Sequence, residues 1–207
     1  MKPRIAIIFY TTYGTNYAIA EEARRAAEEA GAEVRLLRVR ETAPDDVVAS
    51  QDAWTEQVEK MRDIPVVTPD DMEWADGYFF SAPTRYGVVA SQLRAFIDTL
   101  GPVWQKGGLA DKTFTATTSA GNDHGGQEGT ILSLYTTAYH WGAVVVAPGY
   151  TAEAVGKAGG NPYGFSKTAG SPLSDDEKAA IAHQAERLVE MTARIATRGE
   201  DALRDAA

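Results

Sequence analysis

The chain predicts a doubly wound α/β fold, a parallel sheet covered by helices on both faces, because short apolar runs alternate along it with segments of helical periodicity. Its 207 residues and 44% hydrophobic content suit one compact domain over residues 1–207. Five runs read as strands: 4–10, 33–39 (EVRLLRV), 77–82 (GYFFSA), 112–118 (KTFTATT) and 143–147 (AVVVA).

The helices follow in order. After the first strand, Ile19, Ala23, Ala26, Ala27 and Ala30 form a small-residue helical stripe that Gly31 terminates. Val89, Leu93, Phe96, Ile97 and Leu100 mark a second helix, and a third runs over about 127–141. In the last one Ser174 and Glu177 form a capping box, and Ile181, Leu188 and Ile195 recur at heptad spacing. Two segments depart from the alternation. Residues 41–76 are charged and contain prolines, with Trp54, Val58 and Met61 at helical spacing, so they read as a loop with a short helix that serves as surface decoration or subunit packing. Residues 148–172 are Gly-rich, with Tyr150, Tyr163 and Phe165, and read as an ordered loop bordering a site.

Composition narrows the function. The chain has no cysteine, which excludes disulfides, thiolate chemistry and Cys-based metal sites. Its first residues read as a strand rather than a signal peptide, and no apolar run approaches the roughly 18 residues of a membrane span, so the expectation is a soluble cytoplasmic protein without membrane insertion. A net charge of −9 opposes nucleic-acid binding. The three histidines are scattered without an H-x-x-x-H pattern, and no metal site is expected.

The run Ile5 to Tyr10 leads straight into TTYGTNYA and then a helix. Strand, hydroxyl-rich turn and helix form an anion site, because the first N–H groups of a helix lack internal partners and carry the positive end of its dipole. Thr11, Thr12, Thr15 and Asn16 add side-chain donors, and the only basic residues before Arg24 are Lys2 and Arg4. A phosphate here is held by neutral hydrogen bonds, which favours flavin mononucleotide (FMN) over a nucleoside triphosphate. The glycines agree: only Gly14 lies in the turn, and in the nearest approach to a triphosphate loop, Gly159 to Gly164, Phe165 stands where a lysine belongs. Taken alone, the hydroxyls read equally as helix caps.

In open α/β sheets ligands bind beyond the carboxyl ends of the strands, where strand order reverses. Two further loops should converge there, APTRYGVVASQL after strand 77–82 and SAGNDHGGQE after strand 112–118. Pro83 stiffens the first, Gly87 admits close backbone approach, and Arg85 and Tyr86 offer a cation beside a ring. Such loops suit a flat polar ring system. They also read as tight strand-to-helix turns.

With YTTYGTNYA, APTRYG and SAGNDHGGQE in this order, and with QLRAFIDTLGPVW, NPYG and AG, the chain resembles the WrbA family of flavodoxin-like NAD(P)H:quinone oxidoreductases (type IV) over nearly its whole length. The resemblance implies a flavodoxin-like five-stranded sheet of order 2-1-3-4-5, bound FMN, NADH or NADPH as electron donor, two-electron reduction of a quinone, and a homotetramer. It assigns the FMN phosphate and ribityl end to Thr11, Thr12, Tyr13, Gly14, Thr15 and Asn16. Pro83, Thr84, Arg85, Tyr86 and Gly87 would border the isoalloxazine; Ser119, Ala120, Gly121, Asn122, Asp123, His124 and Gly125 would take its other edge. Tyr13 would contact the nicotinamide nucleotide, Trp104 would help form the substrate pocket, and His140 would contact flavin and substrate. Trp141 stands where the family has a second histidine, which leaves open which of the pair meets the flavin.

This chemistry needs no acid/base triad, and neither a G-x-S-x-G elbow nor a cysteine nucleophile is present. The implied cycle is ping-pong: NAD(P)H gives a hydride, leaves, and a quinone takes its place. The alternatives are a flavodoxin-type one-electron carrier and a non-catalytic regulatory interaction protein.

Overall fold

The computed structural model describes residues 2–205, with side chains as far as residue 196. Strands β1 (Arg4–Phe9), β2 (Glu33–Arg38), β3 (Gly77–Arg85), β5 (Thr113–Ala120) and β6 (Val144–Val145) form a parallel path in the order β2-β1-β3-β5-β6. Two short strands extend it: β4 (Val88–Val89) pairs antiparallel with β3, and β7 (Ser166–Thr168) pairs parallel with β5. The core path has the flavodoxin-like order, with seven strands in the whole sheet.

The strand sequences set the two layers. Side chains alternate across a strand, so Ile5, Ile7 and Phe9 pack with Ile19, Ala23, Ala26, Ile181 and Leu188 on one face. Ala6, Ile8 and Tyr10 pack with Leu93, Ile97, Leu100, Ile131 and Leu134 on the other. Helix α1 (Thr15–Glu29) and the last helix, α9 (Asp175–Asp205), share the first face, and the alanines let α1 lie close to the sheet. Helix α1 ends where Gly31 takes φ +94°, with Ala32 N donating to Ala27 O at 2.9 Å. Ala30, placed in the stripe by its spacing, is instead the exposed cap.

Four sequence expectations need correction. The apolar set from Val89 to Leu100 is not one helix: Val89 lies in β4, and helices α5 (Ser91–Asp98) and α6 (Gly101–Gln105) follow. Strand 77–82 continues through Arg85, because Tyr86 and Gly87, with φ +53° and +84°, form a two-residue turn that folds Val88 and Val89 back on Arg85 and Thr84. The run 143–147 forms only the two-residue strand β6. Pro148 lacks an N–H and Gly149 has φ +57°, so the chain leaves the sheet, carries α8 (Glu153–Lys157), and returns as β7 beside the far end of β5. Residues 41–76 hold three helices, α2 (Asp45–Ala49), α3 (Asp52–Lys60) and α4 (Pro69–Trp74), of which α3 buries Trp54. The third predicted helix is α7 (Gln127–Trp141), as the periodicity indicates.

An ion pair fixes the returning segment. Lys167 on β7 is 5% exposed, and its Nζ donates to Glu177 Oε1 at 2.7 Å and Oε2 at 2.9 Å. Glu177 also accepts from Ser174 N at 2.7 Å, so one carboxylate both caps α9 and neutralises the buried lysine. Burial works against its charge, but Lys167 and the Ser174 amide outweigh this and hold the carboxyl below its usual range.

Glu177→Ala leaves Lys167 buried without a counter-charge and is expected to cost about 3 kcal/mol in a urea titration. Because the folded carboxyl is depressed, the contribution is complete above its ordinary value of about 4.3 and fades as pH falls through the folded value. The stability gap between wild type and variant should therefore close in acid. At the hairpin, a Cβ on Gly126 would lie 2.6 Å from Gly87 Cα, and Gly126 has φ +83°. Gly126→Ala is expected to destabilise by about 3 kcal/mol in the same titration, from left-handed strain and the clash together.

Candidate functional site

The carboxyl ends of β1, β3 and β5 open into a cleft of about 610 Å³. Its first wall is Thr11, Thr12, Tyr13, Thr15 and Asn16; its second is Pro83, Thr84 and Arg85. Ser119, Ala120 and Gly121 form the third, and Ala169 and Gly170, just beyond β7, form a fourth. The last two belong to the late AG segment of the family resemblance, which assigns them no role in the site. Tyr135 OH donates to Tyr163 O, and Phe165 is core.

The loop's donors divide into committed and free. Asn16 is buried, with Nδ2 donating to Ser81 Oγ at 3.1 Å and Oδ1 accepting from Ser119 Oγ at 2.6 Å. Its side chain is a strut between strand ends. Thr12 Oγ1 accepts from Arg85 Nη2 at 2.9 Å. Thr11 Oγ1 accepts from Gly14 N at 2.9 Å and keeps its proton to donate. Thr15 opens α1, whose first amides lack partners within the helix, and Gly14, at φ +98°, caps it without a side-chain bond. Gly14 also borders α3: a Cβ there would lie 2.6 Å from Gln57 Oε1.

Arg85 faces this loop from the hairpin. Its Nη1 donates to Thr84 O at 2.9 Å, and among the described residues it has no ion-pair partner. Thr84 Oγ1 accepts from Thr130 Oγ1 at 2.7 Å, which ties the hairpin to α7. Tyr13 is 60% exposed at the rim, where its hydroxyl donates to Gln51 and its ring meets Trp54 edge-on at 6.4 Å. Behind the cleft Tyr10 OH donates to Glu41 Oε2 at 2.9 Å.

The other nominated residues stand apart from the cleft. Tyr86 projects fully exposed from the hairpin tip, with Gly87 against Gly126. Asn122 folds its own loop, accepting from His124 N at 3.0 Å and Gly125 N at 3.1 Å, while Asp123 accepts from Thr168 Oγ1 at 2.5 Å. Asp123 and His124 line a neighbouring polar depression. Trp104 and His140 meet each other, Trp104 Nε1 donating to His140 O at 3.0 Å, on an exposed face. Trp141, one residue on, is core: it meets Tyr78, Phe80 and Phe114 edge-on at 6.4, 6.3 and 6.1 Å. Of the pair, His140 is the outward residue.

The residues present fit FMN. Hydroxyl and amide donors at a helix N-terminus, without an ammonium, suit a phosphate monoester, and an unpaired guanidinium across the cleft suits the electron-rich edge of a ring system. Among the described residues no helix is long and apolar enough to cross a membrane, and no group of three His, Asp or Glu could hold a metal.

Comparison with known proteins agrees with this chemistry. Residues 3–157 match the family described as NADPH-dependent FMN reductase. The chain is 58% identical over 193 residues to a Deinococcus radiodurans protein named NAD(P)H dehydrogenase (quinone), covering 93% of this chain and 96% of that one. It is 39% identical over 203 residues to one of the same name from Geotalea uraniireducens, covering 93% and 99%. Among solved structures, a flavodoxin, WrbA-like protein from Agrobacterium tumefaciens superposes with a TM-score of 0.64 at 18% identity, covering 93% and 99%. Two-electron reduced Megasphaera elsdenii flavodoxin does so at 0.55 and 16%, covering 90% and 98%, which speaks to the fold. The chain belongs to the NADPH-dependent FMN reductase family and, with these relatives, to the NAD(P)H dehydrogenases (quinone).

Proposed function

We propose that the chain is an FMN-dependent NAD(P)H:quinone oxidoreductase working at the cleft beyond β1, β3 and β5. The observation that carries the assignment is the juxtaposition there of α1's uncapped N-terminus, with Thr11 and Thr15 as donors, and the unpaired Arg85. FMN bound in the cleft supplies hydride acceptance from NAD(P)H and hydride delivery to the quinone. The α1 amides and the hydroxyls of Thr11 and Thr15 bind the phosphate. Arg85 and backbone from Pro83 to Gly87 take one edge of the ring, and Ser119 to Gly121 the other. Arg85 favours negative charge on the ring, and Pro83, Ala120 and Ala169 limit water around it. Tyr13, at the rim, is assigned to the nicotinamide nucleotide.

Trp104 and His140 are assigned to the substrate pocket, closed by a neighbouring subunit of a homotetramer. This reading is supported by their exposure away from their own chain's cleft, on a surface that also carries Leu132 and Tyr139. The same reading takes the enzyme to be cytoplasmic.

Two measurements test it. Under anaerobic conditions the FMN-reconstituted protein should oxidise NADH or NADPH on addition of benzoquinone far faster than an FMN-only blank. Tight FMN binding with no quinone-dependent turnover would instead favour the one-electron carrier. Sedimentation equilibrium should give the mass of four chains, and a monomer would remove the assignment of Trp104 and His140.

A further inference from the structure

The helical spacing of Trp54, Val58 and Met61 marks an inner face on α3, yet Val58 is 38% exposed and its polar neighbour Gln57 is 8% exposed, as buried as Trp54. Among the described residues two buried side-chain nitrogen or oxygen atoms have no hydrogen-bond partner, and they are Trp54 Nε1 and Gln57 Nε2. Both are donors, and they lie one turn apart on the same helix. Both residues also border the loop after β1. The Trp54 ring meets Tyr13 edge-on, and the Gln57 carboxamide lies against Gly14, where an added Cβ would stand 2.6 Å from Oε1 and 3.3 Å from Cδ. Buried polar groups are nearly always paired, and an unmet donor destabilises the fold that holds it. Two unmet N–H groups side by side call for an acceptor that the chain does not itself supply. The loop they border opens α1, whose first amides also lack partners within the helix.

We propose that Gln57 is a further phosphate-binding residue of the cleft, presenting its NH₂ group to the FMN phosphate past Gly14. Gly14 caps α1 and has no side chain, which admits the carboxamide to the cap. The NH₂ group exchanges places with Oε1 by a half-turn of the terminal torsion, which is soft in glutamine, and Nε2 has no bond to give up. A phosphate at the N-terminus of α1 supplies the missing acceptor, and a hydrogen bond to its charge is stronger than one to a neutral group. Like Thr11 and Thr15, Gln57 is a neutral donor. Segment 41–76 then contributes a wall to the anion site instead of decorating the surface.

The energetics run in opposite directions with and without the ligand. Without an anion the unmet donor weighs against the fold, so Gln57→Met, straight-chained and of similar length, removes it with no loss of stability. With FMN bound, the same substitution removes a hydrogen bond to the phosphate. A residue that only packs behaves differently, because its loss weakens fold and ligand binding together.

This inference rests on the assignment of the cleft to FMN, and riboflavin, which has the ring and ribityl chain but no phosphate, separates the two. FMN and riboflavin are titrated into the apo forms of wild type, Gln57→Met and Gln57→Glu, following flavin fluorescence, with apo melting midpoints recorded alongside. Gln57→Met should raise the FMN Kd about tenfold, the worth of one hydrogen bond to a charged group, leave the riboflavin Kd unchanged, and melt no lower than wild type. Gln57→Glu, which loses the donors and adds a negative charge, should raise the FMN Kd further. An unchanged FMN Kd in Gln57→Met, a riboflavin Kd raised as much as that of FMN, or a lowered melting midpoint makes Gln57 a packing residue and overturns the proposal alone. Wild type that binds FMN no more tightly than riboflavin, or binds neither, overturns the phosphate assignment of the cleft and this proposal together.

Discussion

Asn16 sits where three strands end, and the geometry of the cleft depends on its buried carboxamide. One amide hydrogen goes to Ser81 on β3 and the carbonyl takes the Ser119 hydroxyl from β5, while its backbone belongs to the first turn of α1. The parallel ladders hold Ser81 and Ser119 in the sheet, but the loop after β1 has left it and is free to shift against them. A side chain that hydrogen-bonds both neighbours closes that freedom without burying an unsatisfied group. It also couples the phosphate loop to the wall that would take the flavin edge. Loss of the strut would leave the buried Ser119 hydroxyl without its partner.

The rest of the mouth is built by backbone contact. Gly87 and Gly126 approach so closely that no side chain fits between them, and Thr84 accepts from Thr130 beside that contact. The hairpin carrying Arg85 is thereby pressed on the N-terminus of α7. On the fourth side, Lys167 and Glu177 lock β7 to α9, and this brings Ala169 and Gly170 to the cleft. Each wall therefore rests on a polar lock beneath it, and the cleft itself is left with small residues and free donors.

Much of the fold was legible because periodicity reports burial directly. The Ala-rich stripe of α1, the 127–141 helix and the Ser174–Glu177 box each follow from local spacing and local bonds. What was not legible depends on tertiary contacts. A left-handed tyrosine is rare, so the Tyr86–Gly87 turn gives no local sign of a hairpin, and Val89 fits the helical spacing of the residues that follow. The excursion between β6 and β7 had the turn residues Pro148 and Gly149 as a signal, but nothing local says that the chain returns to the same edge. For the site, the loops and Arg85 were readable as types of residue, whereas which hydroxyls remain free was not. Asn16 looks as available as Thr11, Thr12 and Thr15 until its partners Ser81 and Ser119, distant in sequence, are known.

A strongly perturbed basic group lies elsewhere in the fold. Lys112 is pushed down to about 8, chiefly by burial, yet it lies at the amino end of β5, away from the cleft. Its Nζ donates to Met72 O at 2.6 Å and Glu73 O at 2.8 Å, so it caps the carbonyl end of α4 over the Tyr78 ring. That is a structural task. The proposed chemistry calls for no such group: FMN bound in the cleft would supply the hydride transfer, and the protein need only hold an anion, place a cation and keep water out. An anion site made from neutral donors works only if those donors are not consumed internally. Along this loop Asn16 is spent on shape, and the protons of the threonine hydroxyls are left uncommitted.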